Sequence, residues 1–439
     1  MRSACCPHDV LLNDTDRRIL RLAVPAAGAL AAEPLYRLVD TAIVGRIGTS
    51  ELGGVAIAIS ILSIVIAGSN FLAYGTTQRV ANRLGASEPS AAADVGVQAI
   101  WLALFIGTAA APLLAVGAAP LAAALGAGDD VLRFATTYLR ISAIGVPFVL
   151  VGLAAQGAQR GASDYRSALI VLAISNAVNV VLEVGFVVGL DLGVAGAAWS
   201  TVIAQVLAGL ALLSLARPYL RSARSRRPRW DDMVPLLSAG RHLLLRVASM
   251  LVVFTGATSI AARIDDATLA AHSITVTMFF FLALTLDALA IPAQTLVAEE
   301  LGRGGPGARE VAQHSLRLSL WVGIGLAVLL VAGAPAIARL FSSDPSVISR
   351  ATVGLCLLGA ILIPGAVAFA TDGSLIGAGD YRFLGRAAFG YLLAVVPIAA
   401  IVLAFPSLGI VGIWGGLMVW MSLRATVNVG RSRRVLAPA

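Results

Sequence analysis

"GASDYR", Gly161 to Arg166, returns near the other end of the chain as "GAGDYR", Gly377 to Arg382. An offset of about 217 residues also carries "VANRLGASEP" (Val80 to Pro89) onto "VAEELGRGGP" (Val297 to Pro306) and "LGVAG" (Leu192 to Gly196) onto "LGIVG" (Leu408 to Gly412). "GRIGTSELGGVA" from Gly45 aligns in the same way with "ARIDDATLAAHS" from Ala262. Twice that offset nearly exhausts the 439 residues, so the chain is a duplicated unit with little added.

The composition says which solvent that unit occupies. With 58% hydrophobic and 13% charged residues and a mean hydropathy of +0.88, the chain cannot present a polar surface to water. Apolar stretches of about 20 residues recur between short polar connectors, enough for about six helices per half. No ten-residue alternating segments of a spanning barrel are visible. The expectation is an all-α membrane protein of about twelve transmembrane helices, in two six-helix parallel repeats forming N- and C-lobes.

Lysine is absent, and arginine gathers at Arg17, Arg18 and Arg21, between Arg217 and Arg229, and at Arg431, Arg433 and Arg434. Alternate connectors are basic (Arg79 and Arg83, Arg160 and Arg166, Arg303 and Arg309, Arg382 and Arg386), whereas those between carry Glu51, Asp129, Asp130, Asp191, Asp265, Asp266 and Asp344. The positive-inside rule then predicts a multi-pass protein of the cytoplasmic (inner) membrane with both termini cytoplasmic. The predicted organisation is a cytoplasmic tail at 1–16, an N-lobe at 17–216, a cytoplasmic connector at 217–232, a C-lobe at 233–430 and a tail at 431–439. The Pro- and Arg-rich connector is the one clear break in composition and falls where the repeat requires it. The opening "MRSACCPHDV" lacks the apolar core of a cleavable signal peptide, so the first helix reads as a retained anchor. Cys5, Cys6 and His8 read as tail residues and not as a metal or lipid site. The net charge of +8 follows from the arginine bias and implies membrane lipid as a neighbour, with no nucleic-acid partner.

Ionisable residues at membrane depth carry the functional reading, because a charge at the bilayer centre costs about 3 kcal/mol or more and normally faces a partner or a wet cavity. Glu33, Arg37 and Asp40 are spaced i, i+4, i+7, on one face of the first helix. One reading is a self-neutralising stripe about Arg37; it still leaves one carboxylate in excess. Asn176, Asn179 and Glu183 share one face of the fifth helix, where a carboxylate with an amide one turn away suits a proton or a cation. In the second half, Asp287 and Asp372 are candidates for coupling or gating, whereas Glu299 and Glu300, ending helix eight, are expected to be solvated.

"LVDTAIVGRIGTSELGGVAIA" (Leu38 to Ala58), with "QGAQRGASDYR" and its counterpart "DGSLIGAGDYR", resembles the multidrug and toxic compound extrusion (MATE) transporters, closest to their DinF branch. The resemblance spans about Ile19 to Val429. It implies export of organic, often cationic, compounds in exchange for protons or sodium by two six-helix lobes. Carried over by position, Asp40 looks like the family's first-helix carboxylate linked to cation coupling. Asn179 and Glu183 look like its helix-five pair, Thr201 like the hydroxyl beside them, and Tyr36 and Gln156 like polar members of the cavity. Pro25 matches the proline about which the first helix bends. Glu183 replaces the usual Asp, and Arg37 beside Asp40 is unusual. The second-lobe carboxylates of the NorM branch find Arg246 in helix seven and no match in helix ten. Protons are therefore the expected coupling ion, ahead of sodium, and the expected substrate cavity comprises Glu33, Tyr36, Arg37, Gln156, Asn176 and Thr201.

Rival expectations are a flippase for lipid-linked precursors, a sodium-coupled exporter and an exporter of one narrow metabolite class. A membrane enzyme would need dense motifs such as HExxH or DDxxD, and His8, His242, His272 and His314 are scattered. No catalytic residue, metal or cofactor is expected, and one chain holds both lobes, so a monomer would suffice.

Overall fold

In a bilayer every backbone N–H and C=O has to be satisfied inside the segment that carries it, which leaves long helices as the form open to this sequence. The computed structural model describes residues 13–305 and 307–437. The side chains of Glu33, Leu35, Arg37 and Leu38 fall outside the described residues, as do Cys5, Cys6 and His8. Eleven helices among the described residues are long and apolar enough to cross a membrane. The first helix, with 31 residues, is long enough to be a twelfth. The spans are all-helical, and their outer faces carry residues such as Leu113, Val116, Leu329 and Leu340 in the open, a surface made for lipid.

The first six spans are α1 (Asp14–Val44), α2 with α3 (Thr49–Ser69 and Phe71–Gly85), α4 (Pro89–Ala124), α5 with α6 (Asp129–Ser142 and Val146–Gly161), α7 (Arg166–Glu183) and α8 (Gly193–Leu220). The second six are α9 (Trp230–Ile264), α10 (Asp266–Gly302), α11 (Ala308–Phe341), α12 (Pro345–Gly377), α13 (Tyr381–Ala404) and α14 (Gly409–Val435). The second and fourth spans are interrupted, at Asn70 and at the 3-10 turn Ala143–Gly145. Asp265 caps α10 by accepting from the Thr268 N–H at 2.8 Å and pairs with Arg350. The Thr268 amide, then Arg350, hold the Asp265 carboxyl below the usual carboxylate range. Its contribution to stability is therefore present above about pH 4 and lost as the pH falls through that lowered value.

Four positions of the doubled hexapeptide have a physical explanation, together with the glycine one turn before it. Gly157 and Gly161 let α6 approach α3 so closely that an added Cβ would stand 2.8 Å from the Ala73 carbonyl and 2.7 Å from Val80. Gly373 and Gly377 do the same for α12 on α10, at 2.4 Å from the Ala290 carbonyl and 3.1 Å from Val297. Ala290 and Val297 are the repeat counterparts of Ala73 and Val80, so one small-residue contact is built twice, as membrane helices favour where lipid supplies no hydrophobic drive to association. The turn that follows needs a left-handed residue, Ser163 (φ 63°) in the first copy and Gly379 (φ 74°) in the second. The aspartate then ties down the last span of its own lobe: Asp164 accepts from Tyr219 of α8 at 2.9 Å, and Asp380 from Arg431 of α14 at 2.6 Å. Tyr165 and Tyr381 are buried.

Packing divides the chain into two compact units, Gly28–Gly240 and Met1–Ala27 with Arg241–Ala439. This divide differs from the one at 217–232 expected from composition, for identifiable reasons. The start of α9 belongs with the first unit, because Gly240 allows the Phe71 ring to lie on its backbone, where a Cβ would meet it at 2.8 Å. The start of α1 belongs with the second unit because of Asp16. Asp16 is fully buried, accepts from the Asn13 N–H at 3.2 Å, stands 2.9 Å from His314 Nδ1 and is bridged to Arg317. Glu299, expected to be solvated, instead accepts from Arg18 at 2.7 Å and Arg303 at 2.5 Å, and Glu300 also meets Arg303 at 2.5 Å. Those arginines lie within a turn of the carboxylates or on α1, and pairing beats hydration once α1 shields them. The change of unit within α1 comes two residues after Pro25, whose missing N–H leaves the Arg21 carbonyl without its helical donor. α1 stays helical through Pro25.

Two stability outcomes follow. Gly373→Val drives a side chain into the Ala290 carbonyl and should cost about 1–3 kcal/mol, whereas Gly325→Val, with nothing within 4 Å of its added Cβ, should leave the melting midpoint of the purified protein within about 1 °C of wild type. Asp16→Ala strands His314 and Arg317; since Arg317 is 49% exposed and can rehydrate, the loss should be nearer ~1–2 kcal/mol than the several expected of a fully buried pair, read in the same thermal assay.

Candidate functional site

Two polar clusters sit at membrane depth, one in each unit. The first gathers around Asp40, 1% exposed, near the end of α1. Tyr36, one turn earlier, donates its hydroxyl to Asp40 Oδ1 at 3.0 Å. Thr201 of α8 gives its own hydrogen to the Ala197 carbonyl at 2.9 Å, which leaves its oxygen to accept. Tyr36 and Tyr138 each approach that oxygen at 3.4 Å. With the Tyr36 hydrogen on Asp40, Tyr138 is the donor to Thr201.

Glu183 enters this group from α7. It is 0% exposed and faces Asp40 closely enough for the two carboxyls to interact directly. It is also the last α-helical residue before a π-helical turn, Val184–Gly189, a widening of the helix that recurs at functional sites. Both Glu183 oxygens, and Oδ1 of the buried Asn179, have no hydrogen-bond partner among the described residues. Asn176 on the same face of α7 donates to the Ala32 carbonyl at 3.1 Å and so fixes α7 against α1. The site is thus rich in acceptors and short of hydrogens, an arrangement that a proton, a cation or water would satisfy.

The structure brings together Asp40, Glu183, Asn179, Tyr36 and Thr201, with Asn176 holding the frame. Gln156 is elsewhere: it is buried in α6, 18 residues beyond Tyr138 on the same span, about 27 Å along a helix. The side chains of Glu33 and Arg37 lie outside the described residues. Tyr138 is the member that sequence reasoning missed; its signal was a hydroxyl in "TTYLRIS" one turn before the break in the fourth span.

The second cluster centres on Asp372 of α12. It accepts from Arg246 of α9, from Arg424 of α14 and from Asn428 Nδ2 at 2.6 Å. Tyr391 of α13 donates to Asn428 Oδ1 at 3.0 Å. The Arg424 guanidinium also lies over Phe369 at 5.2 Å and Trp420 at 5.7 Å from the ring centres. Asp287 of α10 stands within electrostatic reach of Arg246, Arg424 and Asp372. Asp372 is therefore a saturated hub joining three helices, and Asp287 is the carboxyl in this lobe left outside its bonds. Arg424, Asn428 and Tyr391 were not anticipated from sequence.

The MatE family pattern matches residues 25–185 and 243–404, one stretch in each repeat. Protein DETOXIFICATION 44, chloroplastic, of Arabidopsis thaliana is 33% identical over 436 residues, covering 94% of this chain and 81% of that protein. DNA damage-inducible protein F of Escherichia coli (strain K12) is 29% identical over 94% of this chain and 91% of its own length. Among solved structures, an outward-facing multidrug resistance MATE family transporter superposes with a TM-score of 0.88 over 97% of this chain and 98% of its own, at 21% identity. With the duplicated twelve-helix fold and the buried carboxyls of the first repeat already established, these matches place the chain in the MatE family of multidrug and toxic compound efflux transporters.

Proposed function

We propose that this protein exports organic, chiefly cationic, compounds across the cytoplasmic membrane in exchange for protons, by alternating access of its two lobes, with Asp40 and Glu183 as the coupling pair. The observation that carries this reading is that Glu183, a buried carboxyl whose two oxygens have no hydrogen-bond partner among the described residues, meets a second buried carboxyl, Asp40. Two such groups away from water repel when both are ionised, so the pair takes up a proton or an organic cation to balance its charge. Either ligand satisfies the same oxygens, and each therefore lowers the affinity for the other by the same factor. A proton arriving from outside releases the drug, and its departure to the cytoplasm readies the pair for the next.

Protons suit this site better than sodium. Sodium, like other hard cations, seeks a shell of several acceptor oxygens at closely set distances, whereas the Tyr36 hydroxyl already turns its hydrogen to Asp40 Oδ1 and a proton needs only one of the unpartnered Glu183 oxygens. Asp372 supports the same assignment from the other side, since three donors already occupy it and leave it no part in uptake. In this reading the arginine-rich ends and connector face the cytoplasm, in keeping with the positive-inside rule, and a single chain is the working unit.

Dye efflux from proteoliposomes under an imposed pH gradient tests the proposal. Asp40→Asn should reduce ethidium transport at least tenfold, and transport by that variant at the wild-type rate with an unchanged pH profile would refute the assignment. Glu183→Gln keeps the shape of the side chain and removes one titrating group. It should leave dye binding measurable but flatten its pH dependence, while replacing sodium with choline should change neither protein.

A further inference from the structure

The arginine-rich connector between α8 and α9 is a built surface. Asp94, Gln98 and Trp101 are spaced i, i+4, i+7 on α4, and all three bind the connector's backbone. Asp94 Oδ1 accepts the N–H of Arg224 at 2.8 Å and of Ser225 at 3.4 Å. Gln98, itself buried, accepts from the Arg229 N–H at 2.8 Å and donates to the Arg227 carbonyl at 3.0 Å. Trp101 Nε1 donates to the Arg226 carbonyl at 2.8 Å. The backbone between Arg224 and Arg229 is therefore held down on one helix face.

What is left over is cationic. Arg221, Arg224, Arg226 and Arg227 are exposed, and their side chains have no acidic partner among the described residues; only Arg229 is paired, with Asp232 at 2.9 Å. Asp94 Oδ1 is engaged with the backbone amides of Arg224 and Ser225 and forms no ion pair with these guanidinium groups among the described residues. The loop begins directly after the apolar span of α8 and ends at Trp230, 64% exposed at the start of α9, so its guanidinium groups stand where a bilayer's headgroups begin, beside a residue type that favours that boundary.

We propose that this loop is a docking surface for the phosphate headgroups of anionic phospholipids in the leaflet it faces. Guanidinium groups match phosphate oxygens in pairs, and pinning the backbone removes much of the ordering cost that a free loop would incur on binding. The position favours lipid over a soluble polyanion: no spacer lies between the α8 span, ending at Leu220, and the arginines, so a headgroup reaches them without leaving its leaflet. The inference rests on membrane insertion alone and is independent of what the protein transports.

The test is native mass spectrometry of the full-length protein, released from micelles holding equal amounts of phosphatidylglycerol and phosphatidylcholine, counting the lipids of each kind retained. Wild type should prefer phosphatidylglycerol, and less so as ionic strength rises during equilibration. Arg224→Gln/Arg226→Gln/Arg227→Gln should lose that preference by about a hundredfold, at roughly fivefold per arginine. Arg133→Gln/Arg263→Gln/Arg339→Gln removes the same charge elsewhere and should keep it. The proposal is overturned if the loop variant retains the wild-type preference, if the control variant loses it equally, or if a short oligonucleotide binds the wild type while no lipid preference is seen. Should the glutamine variant not fold, the salt dependence of the wild type and the Arg→Lys triple variant decide in its place: a preference insensitive to salt, or a lysine variant with no preference at all, would count against phosphate binding.

Discussion

A carboxyl group removed from water has to find its donors within the protein, and each unit of this chain is arranged around that demand. Asp16 is satisfied by His314, Arg317 and the Asn13 amide. Asp372 is satisfied by Arg246, Arg424 and Asn428. Asp40 has the Tyr36 hydroxyl. Glu183, as deeply buried as any of them, has no hydrogen-bond partner among the described residues and another carboxyl for a neighbour. The first two carboxyls are held by cationic donors, whereas Glu183 is left with unpartnered oxygens beside another acid.

The same rule decides what the sequence could reveal. Spanning helices were legible because lipid forces unbroken apolar runs of known length. The repeat was legible because close approach at Gly157 and Gly161, and again at Gly373 and Gly377, tolerates little else. The first-lobe residues were legible because Asp40 shares a helix face with Glu33 and Arg37, and Glu183 with Asn176 and Asn179, at the spacings of successive turns; the hydrogen bond expected from Asn179 to Glu183 does not form. The hub was not, since the partners of Asp372 come from 126, 52 and 56 residues away and nothing local marks them. The exchange of the starts of α1 and α9 was hidden for the same reason: it depends on Asp16 meeting a helix about 300 residues on, and composition registers only the connector. The breaks at Asn70 and Ala143–Gly145 escaped notice because neither interrupts the apolar run that contains it.

The repeat also shows how two like folds came to carry unlike chemistry. Applying its offset, the counterparts of Tyr36, Asp40 and Thr201 are Val253, Ala257 and Leu417, all three buried in the hydrophobic core of the second unit. Conversely, Arg246, Arg424 and Asn428 fall on Ala29, Ala208 and Leu212, which have no side chain able to hold a charge, and Asp372 falls on Gln156. The second lobe is apolar where the first has Tyr36, Asp40 and Thr201, and the first lobe has no charged residue where the second has its hub. The backbone contacts that position the helices are kept in both copies, down to the left-handed residue at 163 and 379.

That division bears on how such a transporter can cycle. A lobe whose central carboxylate is held by two arginines and an amide changes little when a proton comes or goes, because removing one partner of such a buried network leaves the others uncompensated at a cost of several kcal/mol. A lobe with a buried carboxyl whose oxygens have no partner, as Glu183 has none among the described residues, has the opposite property: its lowest-energy arrangement depends on what occupies it. Glu183 meets Asp40 of α1 just before the π-turn that follows it on α7, so a change of charge at Glu183 would fall beside an element able to respond. α1 is also the helix interrupted by Pro25, with its start fastened through Asp16 to the second unit. α1 is thus held at its start by Asp16 and carries, at Arg21, a carbonyl without its helical donor, so the backbone between its fixed start and Asp40 is weakened by one bond.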